Sequence, residues 1–246
     1  MTPSESLEYR DAPNRAVAPR YGFVIAGLAI VIAAGVVAWL RFAEIPDPMP
    51  THWSGSGSPN RYSDKSLPQY IGLFTVGPLV TWVSQIGALA LIRSQSRNVV
   101  GPSQARRRRI WLMLDRTYVA TGWFLLALIA LISASSAVVD AQTGRGLNSL
   151  WFLAGFVVAL VGYFAYLWRA DVRIRATVPL EPGVDPGPRL RWGFLYFEPS
   201  DPRVIISTNK GTSSTLNLAR LGAWLVLAGL MAPAVLVIVL VALTGR

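Results

Sequence analysis

Five stretches of 19 to 23 residues carry no Asp, Glu, Lys or Arg between their ends, and this restricts the chain more than any other feature. A helix rises 1.5 Å per residue, so about 20 apolar residues cross the roughly 30 Å of bilayer hydrocarbon. The stretches run Tyr21 to Phe42 (Arg41 at its exit), Tyr70 to Ile92, Tyr118 to Val139, Leu150 to Trp168 and Leu221 to Leu243. Tyr21, Trp39, Tyr70, Tyr118, Trp151, Trp168 and Trp224 stand at their borders as expected interfacial anchors. The first is expected to stay uncleaved: it exceeds a signal-peptide core, follows Glu5, Glu8 and Asp11, and lacks a small-x-small site. Charged residues make up only 15% of the chain, against about 25% in soluble domains, which excludes an ordinary soluble enzyme, a coiled coil and a disordered chain. The expected fold class is an all-α membrane protein with five transmembrane helices and a small β-rich cytoplasmic element before the last helix.

Charge sets the expected orientation. The net charge of +10 is spread over the loops, a pattern that belongs to topology rather than to a nucleic-acid surface. Of 23 Lys and Arg residues, 18 fall on the side of the N-terminal tail and the second and fourth loops, and five on the other. This predicts a plasma-membrane protein with its N-terminus cytoplasmic and its C-terminus outside. The expected organisation is a cytoplasmic tail (1–20), a first helix pair (21–92) with an ordered outer loop (44–68), and a basic cytoplasmic loop (93–117). A second helix pair (118–168), a cytoplasmic loop (169–220) with a strand module (191–218) and the last helix (221–246) follow.

Ionisable groups other than tyrosine are absent from the span interiors, which argues against a pump or proton-coupled carrier working alone. Thr81, Ser84 and Gln85 are expected to bond within or between helices. Ala29/Ala33 and Ala34/Ala38 have the small-xxx-small spacing that admits close packing, and Pro78 and Pro233 are expected to bend their helices. With no cysteine, disulfides and thiolate chemistry are excluded.

Two loops concentrate the candidate functional residues. In the outer one, Pro46, Pro48 and Pro50 favour extended backbone, Gly55 and Gly57 permit positive φ, and Pro59-Asn60 suggests a turn. Trp53 and Tyr62 are expected to fold the loop onto the membrane surface. His52, the only histidine, has the chemistry of a general base, a metal ligand or a pH-sensitive contact. Only Glu44, Asp47 and Asp64 lie near it as further ligands, so a structural hydrogen bond is the favoured reading; no metal, cofactor or catalytic group is expected. In the cytoplasmic loop, Trp192 to Phe197 and Val204 to Ser207 read as two strands joined at Pro199-Ser200-Asp201-Pro202. Thr212 to Leu216 is the candidate third strand, and Asn217 the candidate N-cap. Lys210-Gly211 marks a turn, since the spacing of a phosphate-binding loop is absent. Arg106, Arg107, Arg108 and Arg109 are expected just inside the membrane, where each charge attracts anionic headgroups by about 1 kcal/mol.

Pro50-Thr51-His52-Trp53, followed by Gly57, Pro59, Asn60 and Lys65 between two spans, resembles the bacterial membrane family numbered 1648 among the domains of unknown function. Asn60 stands where that family carries an acid. The family includes an immunity protein against a sporulation-delay toxin, which binds within the membrane and captures a repressor. Trp192-Gly193-Phe194-Leu195-Tyr196, then Asp201-Pro202-Arg203, Lys210-Gly211 and Thr215-Leu216-Asn217, is similar to the unknown-function family numbered 5808. The expected function is a non-enzymatic sensor or immunity-type protein. Its expected partners are membrane lipids, a peptide ligand outside and a cytoplasmic protein, with no nucleic acid. An accessory subunit of a transporter is the alternative, and a membrane enzyme using His52 stands third.

Overall fold

The computed structural model describes residues 16–97, 99, 103–140, 143–146, 149–180, 182–183, 190–191, 195–207 and 214–226. Among them, four helices are long and apolar enough to cross a membrane. These are α1 (Tyr21–Arg41), α2 (Leu67–Arg97), α3 (Gln104–Val138) and α4 (Ser149–Thr177). Their outward surfaces are apolar: Ile32, Val36, Val80, Val83, Val158 and Val161 are all exposed. In water such surfaces would aggregate; against lipid they are satisfied. The chain is a multi-pass membrane protein. Residues 221–226 begin a further helix, and the rest of the fifth apolar stretch, Pro233 included, lies outside the described residues.

Two compact units divide the chain, one of Pro13–Val99 with Trp111–Ala170, the other containing Val100–Ile110 and Asp171–Arg246. In the first, α1 packs on α2 through a narrow stripe at helical spacing: Phe23, Gly27, Val31, Ala34 and Ala38. Ala34/Ala38 therefore lies in the seam, whereas Ala29/Ala33 faces outward. The α2 stripe is Tyr70, Phe74, Pro78, Gln85, Leu89 and Ser96. One buried cluster joins Ala38, Ile45, Met49, Tyr70, Phe74 and Val139, and a second joins Val17, Phe23, Leu89 and Tyr118.

Between the two clusters Gly27 leaves room for α2 and α3: a Cβ there would stand 2.8 Å from Trp82 Cδ1, 2.9 Å from Gln85 Oε1 and 3.2 Å from Ile129 Cδ1. The same layer carries the polar ties. Trp82 Nε1 donates to Val24 O (2.8 Å), and the fully buried Gln85 donates through Nε2 to Gly122 O (3.1 Å). Thr81 and Ser84 donate to the carbonyls of Gly77 and Val80 four residues earlier, as their positions inside a span demand. Ahead of α1, Val17 N–H donates to Ser96 Oγ (2.8 Å) and Arg20 pairs with Asp115 (2.9 Å).

Two expectations change. Tyr70 and Tyr118 are buried rather than interfacial: Tyr70 packs edge-on against Phe74, and the Tyr118 hydroxyl accepts from the Arg20 N–H (3.3 Å). The 93–117 segment is mostly helix, because α2 runs to Arg97 and α3 starts at Gln104. Arginine is a good helix former and nothing between Gln104 and Tyr118 breaks a helix, so the arginine run sits in the first turns of α3 rather than in a loop.

Among the described residues the strands form three antiparallel pairs: β1 (Met49–Trp53) with β2 (Pro59–Ser63), β3 (Leu190–Arg191) with β4 (Leu195–Tyr196), and β5 (Ile205–Ser207) with β6 (Ser214–Leu216). The strands on either side of Pro199-Ser200-Asp201-Pro202 do not pair with each other. Two prolines without N–H groups and a local Asp201–Arg203 contact shape that link, so β4 turns back to β3 and β5 forward to β6.

Candidate functional site: a clamped hairpin

Between α1 and α2 the chain makes a hairpin whose register runs from Met49↔Ser63 to Trp53↔Pro59, with irregularities on either side of His52. Its tip closes on Ser54: the Gly57 N–H donates to Ser54 O and the Ser54 N–H to Ser58 O, each at 2.9 Å, with Gly57 at φ 82°. The turn therefore precedes Pro59-Asn60, which opens β2. Proline suits that first strand position, where no donor is needed.

Two side chains clamp the hairpin to its surroundings and a third ties the neighbouring end of α1 to the end of α3, each by gripping main-chain oxygen. Trp53 Nε1 donates to Gly144 O (2.7 Å), and its ring lies 5.9 Å from that of Phe74. Lys65 Nζ donates to Ile45 O (2.6 Å) and Ala43 O (3.2 Å), carbonyls of the turn that ends α1, and sits 5.2 Å over the Phe42 ring. A cation there meets the negative end of the helix dipole. Arg41 Nη2 likewise donates to Val139 O (2.7 Å) just past α3. The 143–146 loop completes the seat: the Gly146 N–H donates to Gly57 O (2.8 Å) and Arg145 Nη2 reaches Ser58 Oγ (3.4 Å). Gly144 has φ 65°, and a Cβ there would stand 3.1 Å from Pro50 Cγ, so only glycine fits both the backbone and the buried Pro50.

What remains outside the clamp is polar and accessible. His52, Asn60, Arg61 and Tyr62 are exposed on the two strands, and Thr51 Oγ1 donates to Arg61 O (3.3 Å). His52 Nδ1 lies 2.6 Å from Asn60 Oδ1; with that oxygen accepting, the ring proton is on Nδ1. The partner is a neutral amide rather than a carboxylate, so the imidazole is oriented without the charge that supports an imidazolium in acid–base catalysis. Tyr62 projects from the hairpin, and Trp53 is turned inward onto the protein instead of both rings lying outward. Sequence reasoning missed Arg41, Gly144, Arg145 and Gly146. The only local sign was the Thr-Gly-Arg-Gly run, which marks a tight loop without saying what docks on it.

The strand unit before the last helix is organised by Asn217. This fully buried side chain accepts from the N–H groups of Glu198 (3.1 Å) and Ala219 (3.2 Å), and donates from Nδ2 to Glu198 O and Asp201 O, each at 3.0 Å. It is a four-bond hub standing ahead of the helix rather than a simple N-cap. Asp201 takes a bidentate contact from Arg203 and the Tyr196 hydroxyl at 3.0 Å. The Arg203 guanidinium holds the Asp201 carboxyl well below the usual carboxylate range, while burial and then the Asp201 bond raise Tyr196. A depressed carboxylate stabilises the fold above its unfolded pKa and loses that contribution as pH falls through the folded value, so this unit weakens in acid. Pro202 is exposed beside this contact and Thr215 pairs with Ile206. Trp192, Gly193 and Gly211 lie outside the described residues. Arg109 donates to Val178 O (2.7 Å) and Arg175 O (3.2 Å), capping the end of α4, while Arg106, Arg107 and Arg108 lie half-buried beside it.

Residues 28–76 match the family model described as a domain of unknown function, DUF1648. The match takes in most of α1, the whole hairpin and the start of α2, so it coincides with the clamp. No curated protein and no solved structure matches the chain.

Proposed function

We propose that this protein is a non-enzymatic sensor or immunity-type protein of the plasma membrane, with the hairpin on the outer side as its ligand-meeting surface. The observation that carries the reading is the division of labour within the hairpin. Trp53 and Lys65 fix it to the 143–146 loop and to the turn after α1, while His52, Asn60, Arg61 and Tyr62 stay exposed and uncommitted to a core. Pre-ordered polar groups around an aromatic suit recognition of a peptide, because little entropy remains to be lost on binding. The strand unit organised by Asn217 would be the cytoplasmic output surface. The excess of Lys and Arg on the tail and the second and fourth loops supports a cytoplasmic N-terminus and an outer C-terminus. Arg106, Arg107 and Arg108 would contact anionic headgroups or a cytoplasmic protein.

Because the chain has no cysteine, orientation is testable directly. Single variants Ser56→Cys and Ser200→Cys both occupy exposed turns. In intact cells a membrane-impermeant maleimide should label the first and spare the second; the opposite pattern refutes the topology. Ligand capture is the functional test. A photoreactive benzophenone side chain in place of Tyr62 should give a discrete peptide or protein adduct, and His52→Ala with Arg61→Ala should abolish it. The same group in place of Val83, on the apolar face of α2, should give lipid adducts alone. Identical adducts at both positions, or an adduct indifferent to His52 and Arg61, would remove the hairpin from recognition.

A further inference from the structure

Strand β5 presents Ile206 inward, 1% exposed, and Ile205 outward, 59% exposed. A strand with one solvated face ordinarily carries a polar residue at the outward position. The start of the following helix is apolar and exposed as well. Leu221 is 75% exposed, Trp224 55% and Leu225 65%, all in the first two turns of the closing helix.

These residues belong to one rigid piece. Val204 abuts the helix so closely that a Cβ at Gly222 would stand 2.9 Å from Val204 Cγ2. The Asn217 N–H donates to Val204 O (2.8 Å), the Leu218 N–H to Tyr196 O (2.9 Å) and Trp224 Nε1 to Leu218 O (3.0 Å). Ile205 itself pairs with Leu216. The strands therefore cannot swing away from the helix start. That start has its own constraint: from Leu221 to Leu243 the sequence has no charged residue, a length and composition suited only to the bilayer interior. Leu221 then lies at the membrane boundary, and the ties just described carry Ile205 to the same level.

We infer that the strand unit rests on the bilayer surface, with Ile205 of the strands and Leu221, Trp224 and Leu225 of the helix start each meeting lipid at that level. Charge favours lipid over a second copy of the chain. Arg220, bonded to main-chain carbonyls rather than to a carboxylate, stands one residue before Leu221, and a cation beside an apolar edge matches the interfacial layer, whereas copies paired through this face would oppose like charges. Trp224 suits that layer, with its ring apolar and its N–H satisfied within the chain. The inference does not depend on which side of the membrane the unit occupies, nor on whether the hairpin binds a ligand.

The absence of cysteine allows a depth measurement on the full chain in phosphatidylcholine–phosphatidylglycerol vesicles. An environment-sensitive fluorophore on Ile205→Cys should emit to the blue and lose most of its emission to a lipid spin label placed near the headgroup, more than to one deep in the acyl chains. The same fluorophore on Ser200→Cys should stay red-shifted and unquenched, and on Leu225→Cys it should be quenched. Red emission at position 205 would mean a solvated strand and overturn the inference. Blue emission without lipid quenching would mean that protein covers the patch, from this chain or a second copy, and would overturn it equally.

Discussion

Asn217→Ala should unfasten the strand unit while leaving the helices inserted. The alanine leaves the part-buried N–H groups of Glu198 and Ala219 without their acceptor, and the Glu198 and Asp201 carbonyls with one donor each, the Asp201 N–H and Arg220 Nε. An orphaned buried polar group costs about 1–3 kcal/mol, and partial rehydration on local opening limits the total to about 2–4 kcal/mol. At about 1.4 kcal/mol per decade, even the lower bound is roughly a thirtyfold rise in local opening. Hydrogen exchange on the full chain in nanodiscs should show that rise across 195–220 and no change in α1 or α2. Asn217→Asp separates hub from cap. It keeps both acceptor bonds but turns an acceptor toward the Glu198 and Asp201 carbonyls, so it should be nearly as damaging. Unchanged exchange in both variants would deny Asn217 its organising role.

Gly27→Leu should have a larger and more general effect, since its site is the layer where α1, α2 and α3 meet. The added Cβ alone would fall inside contact distance of Trp82, Gln85 and Ile129, on two different helices. Trp82 and Gln85 cannot rotate aside without surrendering bonds to Val24 O and Gly122 O, so the helices must separate. Overpacking typically costs about 1–3 kcal/mol, and here two polar ties go with it. Thermal unfolding monitored by size exclusion should show early aggregation for Gly27→Leu and an intermediate effect for Gly27→Ala. Gly22→Ala is the control: a Cβ there meets nothing within 4 Å, and the midpoint should hold or rise. Equal midpoints for the alanine variants at positions 22 and 27 would show that the seam is looser than its geometry.

The helices were legible because a membrane leaves a helix only one way to satisfy its backbone, and α1 to α4 coincide with uncharged runs. Their ends were not. The arginine run reads as a boundary by charge, yet it is good helix sequence, and α3 continues through it. Tyr70 and Tyr118 sit where interfacial anchors belong along the chain but on the inward side of their helices, which position alone does not reveal. In the hairpin, the residues singled out by sequence do come together, His52 with Asn60 and Lys65 on the end of α1. Their partners at 139 and 144–146 are about ninety residues away, and nothing local marks them. Strands on either side of 199–202 were legible too, but their pairing partners were not, because the buried Asn217 amide organises that segment from downstream.

The grips of Trp53, Lys65 and Arg41 all end on peptide oxygens, at Gly144, Ala43, Ile45 and Val139. Every residue offers that oxygen, so the acceptor positions need a backbone path but, Gly144 apart, no particular side chain. The mounting thus depends on the identity of three donor side chains, while His52, Asn60, Arg61 and Tyr62 take no part in it. The same asymmetry makes the element a natural cassette. New side chains at 52 and 60–62 would inherit a finished mounting that includes the 54–58 tip, held by the Gly146 N–H and Arg145, and new recognition could be evolved there without redesigning the protein beneath it.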